Sequence, residues 1–123
     1  MDRKYRLLII DDNEEVLTSL KSFLSKKDYN VVSASNGLDA LKLIEAATDD
    51  FDLVITDLVM PNISGVAVTA IIKKQNPKMP VIAITGYGEQ PEALAKEVHA
   101  DIVMEKPFKL DVLENHISKL LTK

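Results

Sequence analysis

The chain has 123 residues, the length of one ordinary domain, so we expect a single domain over residues 1–123. Its 46% hydrophobic and 28% charged residues and its net charge of -4 are typical of a folded globular protein, and they offer no basic face for nucleic acid. Cysteine is absent, which excludes disulfides and thiolate sites, and with no membrane-length apolar run or secretory signal we expect a cytoplasmic protein without a membrane partner.

The first half of the chain alternates strand and helix twice. An apolar run over Arg6–Ile10 predicts a buried strand, and Asp12 or Asn13 can cap the helix that follows. That helix has one apolar face, formed by Val16, Leu17, Leu20, Phe23 and Leu24. Val31–Ala34 predicts a second, shorter strand. The helix after it is expected to bury Leu38, Ala40, Leu41, Ile44 and Ala47.

The second half adds three strands and three helices. Leu53–Thr56 predicts the central strand, and Val66–Lys74 predicts a helix. The inward positions of that helix are expected to be Val68, Ile71 and Ile72. A fourth strand over Val81–Thr85 precedes a glycine-containing loop and a short helix over Gln90–Val98. Ile102–Met104 predicts the fifth strand, and the last helix has one apolar face formed by Leu110, Leu113, Ile117, Leu120 and Leu121.

This alternation predicts an α/β fold, a doubly wound five-stranded parallel sheet with five helices on its two faces. The strands are apolar throughout, as expected when both faces of a sheet are covered. The carboxyl ends of parallel strands lie along one edge, where open α/β sheets bind their ligands. The polar residues expected at that edge are Asp11, Asp12, Asp57, Thr85 and Lys106.

Asp57 ends the central strand and is the residue around which we expect the chemistry to take place. Three carboxylates on one edge repel one another unless a cation lies between them. Oxygen ligands without nearby histidine or cysteine favour Mg²⁺, with Mn²⁺ as the alternative. Lys106 adds a positive charge, Thr85 adds a hydroxyl donor, and Gly86 leaves room for a phosphoryl group. Together these are the groups that Asp57 would need in order to attack a phosphoryl group in line.

Each of these residues also has an ordinary structural explanation. Asp11 or Asp12 can be a helix cap, and Asp57 can be a turn former. Thr85 can simply end a strand, and Lys106 can be a solvated loop lysine. The combination favours phosphoryl chemistry over these single explanations. The sequence contains no G-x-x-x-x-G-K-[ST] loop, so a nucleotide bound by that motif is not the expected donor.

The ordered set of motifs resembles the receiver domain of two-component response regulators (CheY-like) and runs from about Leu7 to Leu121. The resemblance implies a flavodoxin-like three-layer fold with strand order 2-1-3-4-5. It also implies a signalling domain that catalyses only its own phosphorylation and slow dephosphorylation. The motifs that carry it are Asp11-Asp12, Asp57, Met60-Pro61 with Gly65, Thr85 and Lys106-Pro107-Phe108.

The resemblance also implies a role for each matched residue. Asp57 matches the phosphoacceptor, which takes its phosphoryl group from a sensor histidine kinase or a histidine phosphotransfer protein. The implied Mg²⁺ ligands are Asp12, Asp57 and the Val59 carbonyl, with Asp11 acting through water. Thr85, beside Gly86, matches the switch hydroxyl. Lys106 matches the lysine that pairs with the phosphate, and the peptide bond before Pro107 is implied to be cis.

One position departs from the family pattern. Three residues before the lysine, receiver domains usually carry Tyr or Phe, whereas this chain has Val103, which cannot report the switch by a ring flip. Tyr87 is a candidate substitute, although a tyrosine packed on the loop is the alternative. Val59 and Tyr87 occupy positions that control attacking water in the family. Neither offers an acid or an amide, so we expect self-dephosphorylation over minutes to hours.

The partners are implied only in part. A surface around Glu14, Glu15 and Thr18 is expected to receive the kinase. The output is an unknown partner or a C-terminal effector domain missing from this chain. The domain itself is expected to be a monomer or a weak phosphorylation-dependent dimer.

Three other functions compete with this interpretation. A phosphatase of the haloacid-dehalogenase type would carry Asp-x-Asp-x-Thr, but Val59 stands where its second acid belongs. A pseudo-receiver would bind partners without phosphorylation, and only Val103 favours it. A flavodoxin-like electron carrier would need phosphate donors in the first loop, which is acidic here.

Overall fold

The computed structural model describes residues 4–47, 50–86 and 99–122. The predicted helix over Gln90–Val98 and the side chain of Tyr87 lie outside these residues. Within the described ranges, no helix is long and apolar enough to cross a membrane. The elements in chain order are β1 (Arg6–Ile10), α1 (Glu14–Lys26), β2 (Asn30–Ala34), α2 (Gly37–Ala47), β3 (Leu53–Asp57), α3 (Gly65–Gln75), β4 (Val81–Thr85), β5 (Ile102–Glu105) and α4 (Leu110–Leu121).

The five strands form one parallel sheet in the order β2-β1-β3-β4-β5. This confirms the predicted parallel α/β fold and its strand order, with four helices in the described part of the chain. The order reverses between β1 and β3, which is the topological switch point where such sheets bind ligands. Ile10 pairs with Thr56 and Asp57 pairs with Ile84, so the chain emerges from β1 directly beside Asp57.

Alternate residues of the strands point into two separate cores. Leu7, Ile9 and Ile55 pack with α1 and α4 on one face. Leu8, Ile10 and Val54 pack with α2 and α3 on the other. Burial on both faces explains why the strands are apolar over most of their length, and it leaves the strand ends to carry charged groups.

Two expectations about helix faces were wrong. Leu38 is 53% exposed, because it lies in the first turn of α2, whereas Ala40 and Ile44 face the sheet. Ile71 is 38% exposed, because the inward face of α3 runs through Val68 and Ile72 and turns Ile71 outward. Helical spacing indicates that a helix is amphipathic, but it does not fix which marginal position of the stripe is covered.

The start of α1 resolves the choice between two capping residues. The side chain of Asn13 accepts hydrogen bonds from the backbone N–H groups of Glu15 and Val16, at 2.9 and 3.3 Å. Asn13 is therefore the cap. Asp12 does not cap this helix, and its carboxylate stays available at the edge of the sheet.

Candidate functional site

Three strand ends each deliver one charged side chain to the same point. Asp11 follows β1, Asp57 ends β3 and Lys106 follows β5. Asp11 is 2% exposed and Asp57 is 7% exposed, whereas the neighbouring Asp12 faces solvent. The predicted convergence of these residues is therefore present in the structure.

Lys106 lies between the two buried carboxylates. Its Nζ donates to Oδ2 of Asp11 at 3.2 Å and to Oδ2 of Asp57 at 3.4 Å. The other oxygen of Asp11 accepts from the backbone N–H of Asn13 at 2.9 Å. The other oxygen of Asp57 accepts from the backbone N–H of Val59 at 3.3 Å. Each buried carboxylate is therefore held by one ammonium group and one backbone amide.

The residues of this site fit a divalent cation. Asp11, Asp12 and Asp57 each place one carboxylate oxygen within 4.8 Å of the others. Lys106 is the ammonium in contact with Asp11 and Asp57, so the three carboxylates together keep two negative charges in excess over it. All three donors are oxygens, which Mg²⁺ and Mn²⁺ prefer over nitrogen and sulfur ligands.

The pKa values of the site follow from this charge imbalance. Burial and the Asp11 carboxylate raise the pKa of Asp57, and the Lys106 ammonium and the Val59 N–H only partly oppose them. Burial alone would lower the pKa of Lys106, but the carboxylates of Asp11 and Asp57 outweigh it and raise that pKa. The lysine is therefore firmly charged, while Asp57 carries its negative charge at an energetic cost.

Thr85 presents a polar atom without a partner beside this pocket. The residue is fully buried, and its Oγ1 has no hydrogen-bond partner in the part of the chain that the structure describes. Its backbone carbonyl accepts from the N–H of Lys106 at 2.9 Å, which holds the threonine and the lysine on adjacent strands. A buried hydroxyl is normally hydrogen-bonded, so this one is a candidate to bind an incoming group. The half-buried Gly86 follows it directly.

The remaining positions singled out from the sequence lie around the pocket. Val103 is half-buried and packs against the small cluster of Leu58 and Ala83. The Lys106-Pro107 peptide bond is cis. Val59 is 59% exposed, which places its side chain at the rim.

Two residues beside Asp57 were given no individual role by the sequence argument. A methyl group at Gly65 would overlap the carbonyl oxygen of Asp57, so glycine is required where α3 begins. The hydroxyl of Thr56 donates to that same carbonyl at 2.9 Å. A hydroxyl within the otherwise apolar run Leu53–Thr56 was the only sequence signal for Thr56.

Known proteins resemble this chain over most of its length. A family model described as the response regulator receiver domain matches residues 7–118. Transcription factor SKN7 of Chaetomium thermophilum is 35% identical over 126 residues, covering 98% of this chain and 16% of that protein. The alkaline phosphatase synthesis transcriptional regulatory protein PhoP of Bacillus subtilis is 34% identical over 104 residues, covering 84% of this chain and 42% of PhoP. The chain thus spans less than half the length of either relative.

Solved structures show the same fold. A receiver domain protein from Clostridium thermocellum superposes with a TM-score of 0.89 at 31% identity, covering 96% of this chain and 94% of the other. The response regulator TrrA from Thermotoga maritima, solved in complex with Mg²⁺-BeF, gives a TM-score of 0.82 at 33% identity, covering 95% and 99% of the two chains. The fold, the convergent acidic pocket and the family match together show that this chain belongs to the response regulator receiver domain family.

Proposed function

We propose that residues 1–123 form one receiver domain that accepts a phosphoryl group on Asp57 from a sensor histidine kinase or a histidine phosphotransfer protein. One observation carries the proposal. The buried carboxylate of Asp57, at the end of β3, faces the Lys106 ammonium at 3.4 Å inside a pocket with two more carboxylates. A structural ion pair needs no such excess of negative charge.

The chemistry is a direct transfer. An oxygen of Asp57 forms a bond to phosphorus while the bond between phosphorus and the donor histidine nitrogen breaks. The electron pair of that bond leaves with the imidazole. The Lys106 ammonium neutralises charge on the phosphoryl oxygens, a form of stabilisation on which phosphoryl transfer depends.

The reaction is proposed to depend on Mg²⁺, or on Mn²⁺ in its place. Asp11, Asp12, Asp57 and the backbone carbonyl of Val59 would hold the cation. When bound, it neutralises charge on the phosphoryl oxygens and orients them for transfer. The two uncompensated negative charges of the pocket support this assignment, and so does the crystallisation of the related TrrA with Mg²⁺-BeF.

Thr85 is proposed as the switch residue. Its buried, unpartnered hydroxyl can donate to an oxygen of the phosphoryl group on Asp57, and Gly86 leaves space for that group. Gaining this hydrogen bond would favour a changed arrangement of the β4 end, which is the differential interaction that a switch requires. Val103 has no ring that could flip when the β4 end changes its arrangement, and Tyr87 stays a candidate for the residue whose ring moves.

The phosphorylated form is proposed to bind an output partner or effector domain with altered affinity, in the cytoplasm. The oligomeric state proposed is a monomer or a weak phosphorylation-dependent dimer. The expected kinase-docking residues Glu14, Glu15 and Thr18 are all exposed on the first turns of α1, near Asp11. Reversing the charge of Glu14 and Glu15 tests that surface, because an unchanged transfer rate would refute it.

The first test is intact mass after incubation with acetyl phosphate and Mg²⁺. We expect the wild-type protein to gain one phosphoryl group and Asp57→Ala to gain none. Asp101→Ala is the matched control, because it removes a paired aspartate at the other end of the sheet and should leave the gain intact. No gain by the wild-type protein, with Mg²⁺ binding shown separately by calorimetry, would contradict the proposal and favour a pseudo-receiver.

A further inference from the structure

The peptide groups that follow Asp57 are held by three hydrogen bonds. The N–H of Leu58 donates to the carbonyl of Ile84 at 2.9 Å, and the carbonyl of Leu58 accepts from the N–H of Gly65 at 2.9 Å. The carbonyl of Asp57 accepts from the hydroxyl of Thr56 at 2.9 Å. Two of these bonds join backbone groups, and only the third comes from a side chain.

Thr56 is an unexpected residue at its position. It lies in β3 with no exposed surface and follows Leu53, Val54 and Ile55. A valine has almost the same shape and would fill this site without a polar atom. The hydroxyl loses its contact with water here, and the Asp57 carbonyl is the acceptor that compensates it.

The orientation of this peptide bears on the Asp57 carboxylate. The N–H of Val59, one residue beyond Leu58, donates to Oδ1 of Asp57, while Oδ2 faces Lys106. A rotation of the Asp57–Leu58 peptide would therefore displace the amide that fixes the carboxylate. The backbone of Gly65 also packs directly against the Asp57 carbonyl and restricts such a rotation.

We infer that Thr56 is a positioning residue for phosphoryl transfer. Its hydroxyl fixes the orientation of the Asp57–Leu58 peptide group. That peptide group positions the Val59 N–H, which holds Oδ1 of the Asp57 carboxylate and keeps Oδ2 facing Lys106, ready to attack the phosphoryl group. Thr56 donates to the backbone carbonyl of Asp57 and not to its carboxylate, so it acts on the reacting group only through the backbone. The inference rests on the proposed function, since it concerns the rate at which Asp57 is phosphorylated.

Two pairs of proteins isolate the hydroxyl. Wild type and Thr56→Val differ by a hydroxyl replaced with a methyl group, and Thr56→Ser and Thr56→Ala differ by the hydroxyl alone. The second pair keeps the test available if the valine variant fails to fold. Thr69→Val is the matched control, because Thr69 is also fully buried but its hydroxyl donates to Gly65 within α3, at 2.8 Å.

The measurement is the rate of phosphoryl gain with acetyl phosphate at saturating Mg²⁺, followed by intact mass, with the unfolding temperature of each protein recorded. We expect about a tenfold lower rate for Thr56→Val than for wild type, since small displacements of a reacting group carry large rate penalties. The same loss is expected for Thr56→Ala relative to Thr56→Ser. Thr56→Ser should stay within about twofold of wild type, because it keeps the hydroxyl. Thr69→Val should stay within about twofold as well, because its hydroxyl bonds to a carbonyl within α3 and not to the peptide after Asp57.

The outcomes separate this inference from the function on which it rests. Wild-type phosphorylation with equal rates within either hydroxyl pair would overturn the inference alone. A rate loss in Thr69→Val as large as in Thr56→Val would also overturn it, because the effect would then be one of general packing. No phosphoryl gain by the wild-type protein would overturn the proposed function and the inference with it.

Discussion

Two lysine–aspartate clusters lie at opposite ends of the sheet. At the amino end, Lys73 Nζ and the backbone N–H of Val81 both donate to one oxygen of Asp101, each at 2.8 Å. Lys73 also donates to the Met79 carbonyl at 2.7 Å. This cluster balances one acid against one base, and backbone groups complete it.

The cluster at the carboxyl end has the same residue types and a different balance. One lysine, Lys106, faces Asp11 and Asp57 at longer distances of 3.2 and 3.4 Å, and Asp12 stands beside them. The two acids that Lys106 contacts are also more deeply buried, with 9% of the Asp57 side chain exposed against 36% of Asp101. The amino-end cluster is thus balanced in charge, whereas the carboxyl-end cluster keeps an excess of negative charge, which supports the proposed cation site.

The largest expected difference is in how far the phosphorylation rate falls when each of the two lysines is replaced. Lys106→Met should lower the rate of phosphorylation by acetyl phosphate about 100-fold, because a preorganised charge on the phosphoryl oxygens is lost. Lys73→Met should leave the rate within about twofold, since its ammonium binds Asp101 and a carbonyl at the other end of the sheet. Intact mass against time gives both rates. A similar loss in the two variants would show that the clusters do not differ in function.

Replacing an acid should change the free energy of unfolding in opposite directions at the two ends of the sheet. Asp101→Ala should lower the free energy of unfolding by about 2 kcal/mol, because the Val81 N–H loses its side-chain acceptor and the Lys73 ammonium loses its carboxylate partner. Asp57→Asn, measured in a chelator, should be at least as stable as wild type, because burial and Asp11 make its negative charge costly. Urea unfolding at neutral pH measures both changes. A destabilised Asp57→Asn would contradict the charge imbalance assigned to the site.

Mg²⁺ should stabilise the protein through the carboxyl-end cluster and not through the amino-end cluster. At a free concentration ten times its dissociation constant, Mg²⁺ should raise the free energy of unfolding by about 1.4 kcal/mol. Asp101→Ala should show the same increment, whereas Asp12→Ala should lose much of it, because Asp12 supplies one of the three grouped oxygens. Thermal unfolding with and without chelator measures the increment. An equal increment in Asp12→Ala would remove this carboxylate from the proposed ligands.

Val59 provides a smaller test of the carboxyl-end site. Because this side chain is 59% exposed, an asparagine can replace it without loss of core packing. Its amide can orient a water molecule toward the phosphoryl group, so Val59→Asn should shorten the lifetime of phosphorylated Asp57 several-fold. The decay of the phosphorylated mass after removal of acetyl phosphate gives the lifetime. A wild-type lifetime of seconds would contradict the expected slow dephosphorylation.

Sequence reasoning predicted the strands to within one residue, because continuous apolar runs such as Leu53–Thr56 admit few alternatives. Topology also placed Asp11, Asp57 and Lys106 at one edge. It could not predict that Lys106 bridges two carboxylates, since that depends on side-chain reach and not on strand order. A role for the Thr56 hydroxyl could not be predicted either, because threonine fits a buried strand as well as valine does.

A third polar link joins the turn before β2 to helix α4. The hydroxyl of Tyr29 donates to Oε2 of Glu114 at 2.9 Å. Burial, this hydrogen bond and the Glu114 charge raise the pKa of Tyr29 to about 12, from an ordinary value of 10.0. The folded protein therefore binds this proton more tightly than the unfolded chain does.

The resulting stabilisation is complete below pH 10 and is lost as the pH rises through about 12. Its size is about 1 kcal/mol, because solvent screens a partly exposed pair. Urea unfolding of wild type and Tyr29→Phe between pH 8 and 12 should show a steeper decline for wild type. Glu114→Gln is the control, since it removes the charge but keeps an acceptor, and its decline should lie between the two. Parallel curves for wild type and Tyr29→Phe would mean that the hydrogen bond is too weak to hold the proton, and that α4 is anchored by apolar contacts such as those of Leu113 and Ile117.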